Sequence, residues 1–230
     1  MHPELCTIGP FTVYSYGAML ALAFFVAVSF ASMEAKRQGL KPDFIFNLYF
    51  IVFIFGIIGA RIFFVLENLS YYLKSPLEII LVNRGGMSWF GGFFLGLASG
   101  IIYIRRKNER VYKVLDLGVP FLALAQSLGR IGCFLNGCCF GKGLIPAQLI
   151  SSLLLLLIFV ILRLLQSKPH REGQVFYAYL FLYSIKRFLM EFARADNKII
   201  IFNLTLFQLI SIFVLVFSAF RLASYLKKKK

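Results

Sequence analysis

The sequence predicts an all-α fold, a polytopic bundle of about seven transmembrane helices, and three observations predict it. Hydrophobic residues fill 60% of the 230 positions, only 15% are charged, and the mean hydropathy is +0.80, too apolar for a soluble domain. The apolar residues run continuously, as in "LISSLLLLLIFVILRLL" from Leu149, whereas the strands of a membrane barrel alternate over about ten residues. The basic residues, which bring the formal charge to +15, fall in short clusters between those runs with no folded basic domain around them. That distribution points to membrane orientation and not to a nucleic-acid partner.

Crossing a hydrocarbon core of about 30 Å takes roughly 20 apolar residues in a helix, and seven segments satisfy this in order. The first, about 13–34, is preceded by no Lys or Arg, the earliest being Lys36, so it is expected to remain as a helix and not to be cleaved as a signal. Tyr14 and Tyr16 open it, either as interfacial anchors or with a hydroxyl turned inward. The second, about 44–66, has Arg61 near its end, with structural pairing, snorkelling and ligand contact all open. The stretch "NLSYYLKSPLEIILVNR", from Asn68 to Arg84, is too short in its apolar middle to cross and is expected as an arm along the interface. The third span covers about 87–105. The fourth, about 114–135, contains Asp116, Pro120 and Gln126 and should therefore face protein. The last three are about 145–165, 174–193 and 203–225. No soluble domain, linker or repeat interrupts them, so residues 1–230 read as a single integral membrane domain.

The Lys and Arg residues between spans set the orientation. Lys36, Arg37, Lys41, Arg105, Arg106, Lys107, Arg110, Lys113, Arg163, Lys168, Arg171, Arg221 and Lys227 to Lys230 lie on one side, against Lys74, Arg84, Lys142, Arg194 and Lys198 on the other. The N-terminus is expected outside and the lysine tail in the cytoplasm. Arg61, Arg130, Lys186 and Arg187 remain within or near span ends, where snorkelling accounts for some of them.

An ionisable group inside a bundle costs at least a few kcal/mol on insertion scales and invites a functional reading. Arg187 and Glu191 in "YSIKRFLMEFARADN" are four apart on one helix face, with Arg194 a turn further. The plain alternative is an ion pair that locks two helices. Adding Arg130, from "GRIGCFLNGCCFGKG", leaves more guanidinium charge than one carboxylate cancels, and an anion is expected to fill the difference. The planar fork of arginine suits phosphate oxygens, which membrane phospholipid supplies at this depth. Gly129, Gly132, Gly137, Gly141 and Gly143 let the backbone turn or approach a ligand, or pack helices. Cys133, Cys138 and Cys139 lack zinc partners, since His2 and His170 stand in unrelated segments, and their spacing is not C-x-x-C. Packing by small polarizable side chains is their default role.

In these segments the chain resembles the bacterial prolipoprotein diacylglyceryl transferase family, through "IGPFTVYSYG", "GARIFFVLEN", "RGGMSWFGGFFLG", "GRIGCFLNGCCFGK", "PAQL", "GQVFYAYLFLYSIKRFLMEFARAD" and "LFQLISI". The resemblance implies a seven-span enzyme of the bacterial inner membrane. It would transfer the diacylglyceryl group of phosphatidylglycerol to the lipobox cysteine of a prolipoprotein signal peptide, with neither metal nor soluble cofactor. Its motifs place catalytic roles on Arg130, Arg187, Glu191 and Tyr16. They place phospholipid contacts on Arg130, Arg187, Arg194 and Gly141, and Asn136 and Arg61 are expected beside them as further phospholipid contacts. Membrane lipid is the implied environment and nucleic acid is not an implied partner. The chain departs from the pattern at Phe90, where the family has a histidine base, at Cys133 and Cys138, where it has asparagine and glutamate, and at "QLIS" from Gln148 to Ser151, where it has QLYE. Those departures keep two alternatives open: a paralogue that binds anionic lipid or lipoprotein signals without chemistry, and a membrane thiol-redox protein.

Overall fold

The computed structural model describes residues 4–8, 11–73, 75–80, 86–138, 141, 146–193, 199–201 and 204–227. Seven long helices fall on the seven expected segments, each boundary within a turn: α1 Ser15–Arg37, α2 Pro42–Glu67, α4 Trp89–Arg106, α5 Val111–Asn136, α6 Ala147–Gln166, α7 Gln174–Ala193 and α8 Leu206–Lys227. A four-residue helix, α3 (Leu69–Tyr72), lies between α2 and α4. Among the described residues five helices, α1, α2, α5, α6 and α8, are long and apolar enough to cross a bilayer. Of the other two, α4 ends on Arg105 and Arg106, and α7 carries Lys186, Arg187 and Glu191. Side chains such as Leu153, Leu164, Phe213 and Phe220 are 61–74% exposed, as expected where lipid and not water is the solvent. The chain is a multi-pass membrane protein.

Two short antiparallel hairpins go beyond the all-α expectation. β1 (Glu4–Ile8) pairs with β2 (Phe11–Tyr14), and β3 (Ile199–Ile201) pairs with β4 (Leu204–Thr205). Their sequences are rich in Thr, Ile and Val, which favour extended backbone, but the strands are too short to show a period of two over several repeats.

The described chain divides into two compact units, residues 32–114 and residues 1–31 with 115–230. In the first, α2 and α4 touch through glycine. A Cβ on Gly59 would lie 2.3 Å from the Gly91 carbonyl oxygen, and one on Gly91 would lie 2.2 Å from that of Gly59. Between helices in lipid, such close approach supplies dispersion contact that larger residues would prevent. The Ser88 N–H donates to the Ala60 carbonyl at 2.9 Å and its hydroxyl to Glu67 Oε1 at 3.0 Å, so the start of α4 is tied to the end of α2. The intervening segment forms α3 and a 3-10 turn, Pro76–Ile79, neither long enough to cross. Tyr72 is buried, while Leu73 and Leu77 are strongly exposed, the two-faced character expected of an arm.

In the second unit the polar residues of the helices turn inward. The buried positions of α6, Ala147, Gln148, Ser151, Ser152, Leu155, Ile158, Leu162 and Gln166, recur at helical spacing on one face. Ser127 and Ser152 exchange hydroxyl-to-carbonyl bonds at 2.9 Å in both directions, joining α5 to α6. Below them Val119, Ala123, Ile158, Leu162, Val175 and Tyr179 form an apolar core.

The polar residues of the fourth span are accounted for here. Pro120, deep inside α5, has no N–H for the Asp116 carbonyl one turn back. Gln166 supplies the missing donor: its Nε2 reaches the Asp116 oxygen at 2.9 Å and that of Leu117 at 3.3 Å. Arg163 donates to Gln166 Oε1 and orients the amide. The Asp116 carboxylate caps α7, accepting from the Gly173 N–H at 2.6 Å and the Phe176 N–H at 2.7 Å. Gln126 accepts from the Tyr179 hydroxyl at 3.1 Å. Gln166→Leu is therefore expected to destabilise the protein, and Pro120→Ala to remove most of that cost by restoring the backbone donor. A double-mutant cycle of thermal denaturation in detergent should show a coupling of about 1 kcal/mol between the two positions.

Candidate active site

Near the opposite end of this same unit from the Asp116 cap, α5 ends in a turn that its sequence dictates. Gly137 has φ +71°, its N–H donates to the Phe134 carbonyl at 3.2 Å, and the Cys138 N–H donates to the Cys133 carbonyl at 3.1 Å. This pair of bonds around a left-handed glycine is a Schellman closure, in which a residue with a Cβ would be strained. Asn136 is the last helical residue, half-buried, and Arg130 stands two turns earlier. Gln148 of α6 donates from Nε2 to the Cys138 carbonyl at 2.8 Å, which ties this turn to α6. Cys133 and Cys138 are half-buried, and Cys138 Sγ lies 3.6 Å from the Cys133 carbonyl oxygen.

Arg130 of α5, Gln148 and Ser151 of α6, and Lys186, Arg187 and Met190 of α7 line one hollow. The two arginines singled out in the sequence thus reach one space from separate helices. Gln148 and Lys186 are almost wholly buried, and Arg187 keeps 16% of its side chain exposed.

Behind Arg187 stands the carboxylate four residues along. Arg187 Nη2 is 3.2 Å from Glu191 Oε2, and the Glu191 side chain is 1% exposed. Glu191 Oε1 accepts from the Thr205 hydroxyl at 2.9 Å. The guanidinium also lies over the Phe207 ring, 4.4 Å from its centroid. Thr205 belongs to a second device. The Gln208 N–H donates to its Oγ1 at 3.2 Å, and its own N–H donates to Gln208 Oε1 at 2.9 Å. This reciprocal capping box closes the start of α8 and fixes the hydroxyl that holds Glu191. The ion pair does not serve α7 alone: a carboxylate in the last turn of a helix meets the negative end of the dipole, an unfavourable placement of about 0.3–1 kcal/mol. Its position is set by α8.

The remaining sequence candidates distribute as follows. Tyr16 stands in the first turn of α1, 42% exposed, where α1 crosses α5: a Cβ on Gly132 would lie 2.9 Å from Met19 Cβ and 3.6 Å from the Tyr16 ring. Gly141 is buried. Arg194 and Cys139 lie outside the described residues. Arg61 belongs to the unit 32–114, where Nε donates to the Ile79 carbonyl at 2.8 Å, Nη1 to that of Gly86 at 2.9 Å and Nη2 to that of Glu78, with Tyr72 below it at 5.3 Å. Of the readings open for it, the observed geometry is structural pairing with the arm.

Two residues of this neighbourhood, Lys186 and Gln148, were noted in the sequence without a place in the site, and two more were missed, Thr205 and Gln208. The last two form the pattern T-x-x-Q before an apolar run, a capping-box signal that was there to be read. Gln148, Ser151 and Ser152 form a polar stripe at helical spacing in an otherwise apolar helix, which in lipid marks the inward face. Lys186 has no such signal. Its neighbour Arg187 is about 100° around the helix, and nothing in the pattern says that both reach one space.

Comparison with known proteins identifies the family. The family profile described as prolipoprotein diacylglyceryl transferase matches residues 3–224. A relative from Clostridium tetani, named phosphatidylglycerol–prolipoprotein diacylglyceryl transferase, is 33% identical, with 96% of each chain covered. Relatives of the same name from Staphylococcus carnosus and Clostridioides difficile are 32% and 35% identical, the first covering 93% of this chain and 86% of its own length, the second 79% of each.

Proposed function

The chain belongs to the prolipoprotein diacylglyceryl transferase family, and from that premise we propose that it transfers the diacylglyceryl group of phosphatidylglycerol to the lipobox cysteine of a prolipoprotein, releasing glycerol 1-phosphate. The observation that supports this most directly is the shared hollow of Arg130 and Arg187, with Glu191 behind the second.

In this reading the chain is a single integral membrane domain of seven spans in a bacterial inner membrane. The N-terminus is outside, the lysine tail is in the cytoplasm, and the arm after α2 rests on the outer interface. Arg61, through its three carbonyl acceptors, holds that arm in shape, and any lipid contact it makes is made from there. Phosphatidylglycerol enters from lipid with its phosphate between Arg130 and Arg187. The two guanidinium groups bind the diester and stabilise the charge that grows on the departing phosphate oxygen, which is electrostatic catalysis in a partly dry site. Glu191 aims Arg187, and Arg194, Gly141 and Asn136 complete the headgroup contacts. Tyr16, at the same end of α1, donates a hydrogen bond to the lipid. The substrate thiol has an ordinary pKa near 8.5, and a cationic hollow raises its thiolate fraction at neutral pH, so the absence of a histidine at Phe90 does not stop the attack. Confinement of both substrates at one membrane depth supplies proximity.

The experiment is transfer in vitro, with purified full-length protein, phosphatidylglycerol vesicles and a lipobox peptide, paired with rescue of lipoprotein maturation in cells depleted of their own transferase. Thioether product and rescue are expected. Retention of phosphatidylglycerol without product would overturn the enzymatic reading in favour of a binding paralogue.

A further inference from the structure

Two neutral side chains of the hollow are placed for more than packing. Gln148 and Ser151 stand one turn apart on the inward face of α6 and line the hollow together with Arg130 and Arg187. Both are nearly sealed from solvent, at 2% and 4% exposed. The third member of that polar stripe, Ser152, is taken up by its bond to the Ser127 carbonyl of α5.

Ser151 differs from the serines of the helices around it. Ser184 on α7 and Ser211 and Ser218 on α8 each donate to the carbonyl four residues back at 2.7 Å, the usual way a hydroxyl is satisfied inside a helix in lipid. The Ser151 hydroxyl has no hydrogen-bond partner among the described residues. Gln148 is half committed. Its Nε2 donates to the Cys138 carbonyl, which leaves Oε1, an acceptor with two lone pairs, without a donor among the described residues. Buried oxygens without partners are unfavourable, so a ligand that brings hydroxyl groups to them is favoured.

The chemistry of that ligand follows from what the two oxygens can do. Gln148 Oε1 only accepts, whereas the Ser151 hydroxyl both accepts and donates, and two hydroxyls on adjacent carbons match that set. In phosphatidylglycerol such a diol is the free end of the headgroup, one ester bond from the phosphate placed between Arg130 and Arg187. We propose that Gln148 and Ser151 bind the headgroup diol and make the chain select a glycerol headgroup over one without hydroxyls. The proposal rests on the transferase reading above and deepens it. At position 151 the family pattern has glutamate and this chain has serine, so a neutral hydroxyl contact there is the chain's own. A site built to hydrogen-bond a hydroxyl rejects the analogue lacking it, because its own polar groups are then left unmet.

The experiment compares transfer from phosphatidylglycerol with transfer from phosphatidyl-1-propanol, the same lipid without its two headgroup hydroxyls. Purified full-length protein, mixed micelles and a lipobox peptide are used. The wild-type protein is expected to prefer phosphatidylglycerol by about 10–100-fold in kcat/KM. Ser151→Ala and Gln148→Met should each cut that preference by about three- to tenfold, and the double variant should bring it close to one. Loosening of the tie to Cys138 lowers transfer from both lipids alike, so the ratio reads the headgroup contact and a merely structural role would not move it. Equal thermal denaturation in detergent shows that a variant is folded, and Gln148→Leu replaces Gln148→Met if the latter does not purify. A wild-type ratio near one, or a wild-type ratio kept by both single variants, would overturn the proposal. A wild-type protein that transfers from neither lipid would overturn the underlying reading instead, and its retention of phosphatidylglycerol over phosphatidyl-1-propanol in the same micelles would still decide the headgroup contact.

Discussion

Arg130→Ala is expected to lower kcat for diacylglyceryl transfer by about 10²–10³-fold, the usual effect of removing one preorganised donor from a developing anion. Arg130 sits two turns before the end of α5, and the Schellman closure at Gly137 is built from backbone bonds of residues 133–138. Removing its side chain leaves that closure and the core of Val119, Ala123, Ile158, Leu162, Val175 and Tyr179 intact, so the variant should denature within a few degrees of wild type. Arg130→Lys separates charge from shape. A point charge without the planar fork is expected to recover only part of the rate, because two phosphate oxygens are no longer held at once. Steady-state transfer of diacylglycerol to a lipobox peptide is the measurement, and wild-type turnover by Arg130→Ala would remove the arginine from the mechanism.

The second large effect concerns stability. Glu191→Ala leaves Arg187 and the Thr205 hydroxyl around a space that has lost its negative charge, and breaking a buried ion pair from one side costs about 3–5 kcal/mol. Its denaturation midpoint in detergent should fall well below that of Arg130→Ala, and activity should be lost because Arg187 is no longer aimed. Thr205→Val tests how the carboxylate is held. It removes the hydroxyl bond to Glu191 and one half of the capping box, and should cost about 1–2 kcal/mol, less than loss of the charge. Glu191→Ala with wild-type stability would mean that the pair is not buried as the structure has it. If Thr205→Val matched Glu191→Ala, the hydroxyl and not the charge would dominate.

Seven helices were legible because each is a run of apolar residues long enough to register, and the punctuation between them is strong: Pro42 opens α2, Gly137 closes α5, and basic residues end α1, α4 and α6. The arm was legible by being too short to cross. The hairpins at the start of the chain and before α8 were not, since strands of two to five residues carry too few alternations. Arg187 and Glu191 were legible as a pair because four residues along a helix fix their common face. Arg61 was not resolved, because its acceptors are the backbone carbonyls of Glu78, Ile79 and Gly86, and every residue has a carbonyl. For the same reason the partner of Pro120 was invisible: a proline announces that a carbonyl is left over, but only packing shows that Gln166 reaches it.

The sequence by itself determined what lies within one helix or one turn: the lengths of the seven long helices, the inward stripe of α6, the glycine closure of α5 and the spacing of Arg187 and Glu191. Only the tertiary structure decided which side chains from different helices meet, bringing Arg130 and Lys186 with Arg187 to one hollow and Thr205 to Glu191. The physical reason is that a helical period reports the angle of a residue about its own axis. The rotation and depth of one helix against the next are set by packing of many small contacts, which no local pattern records.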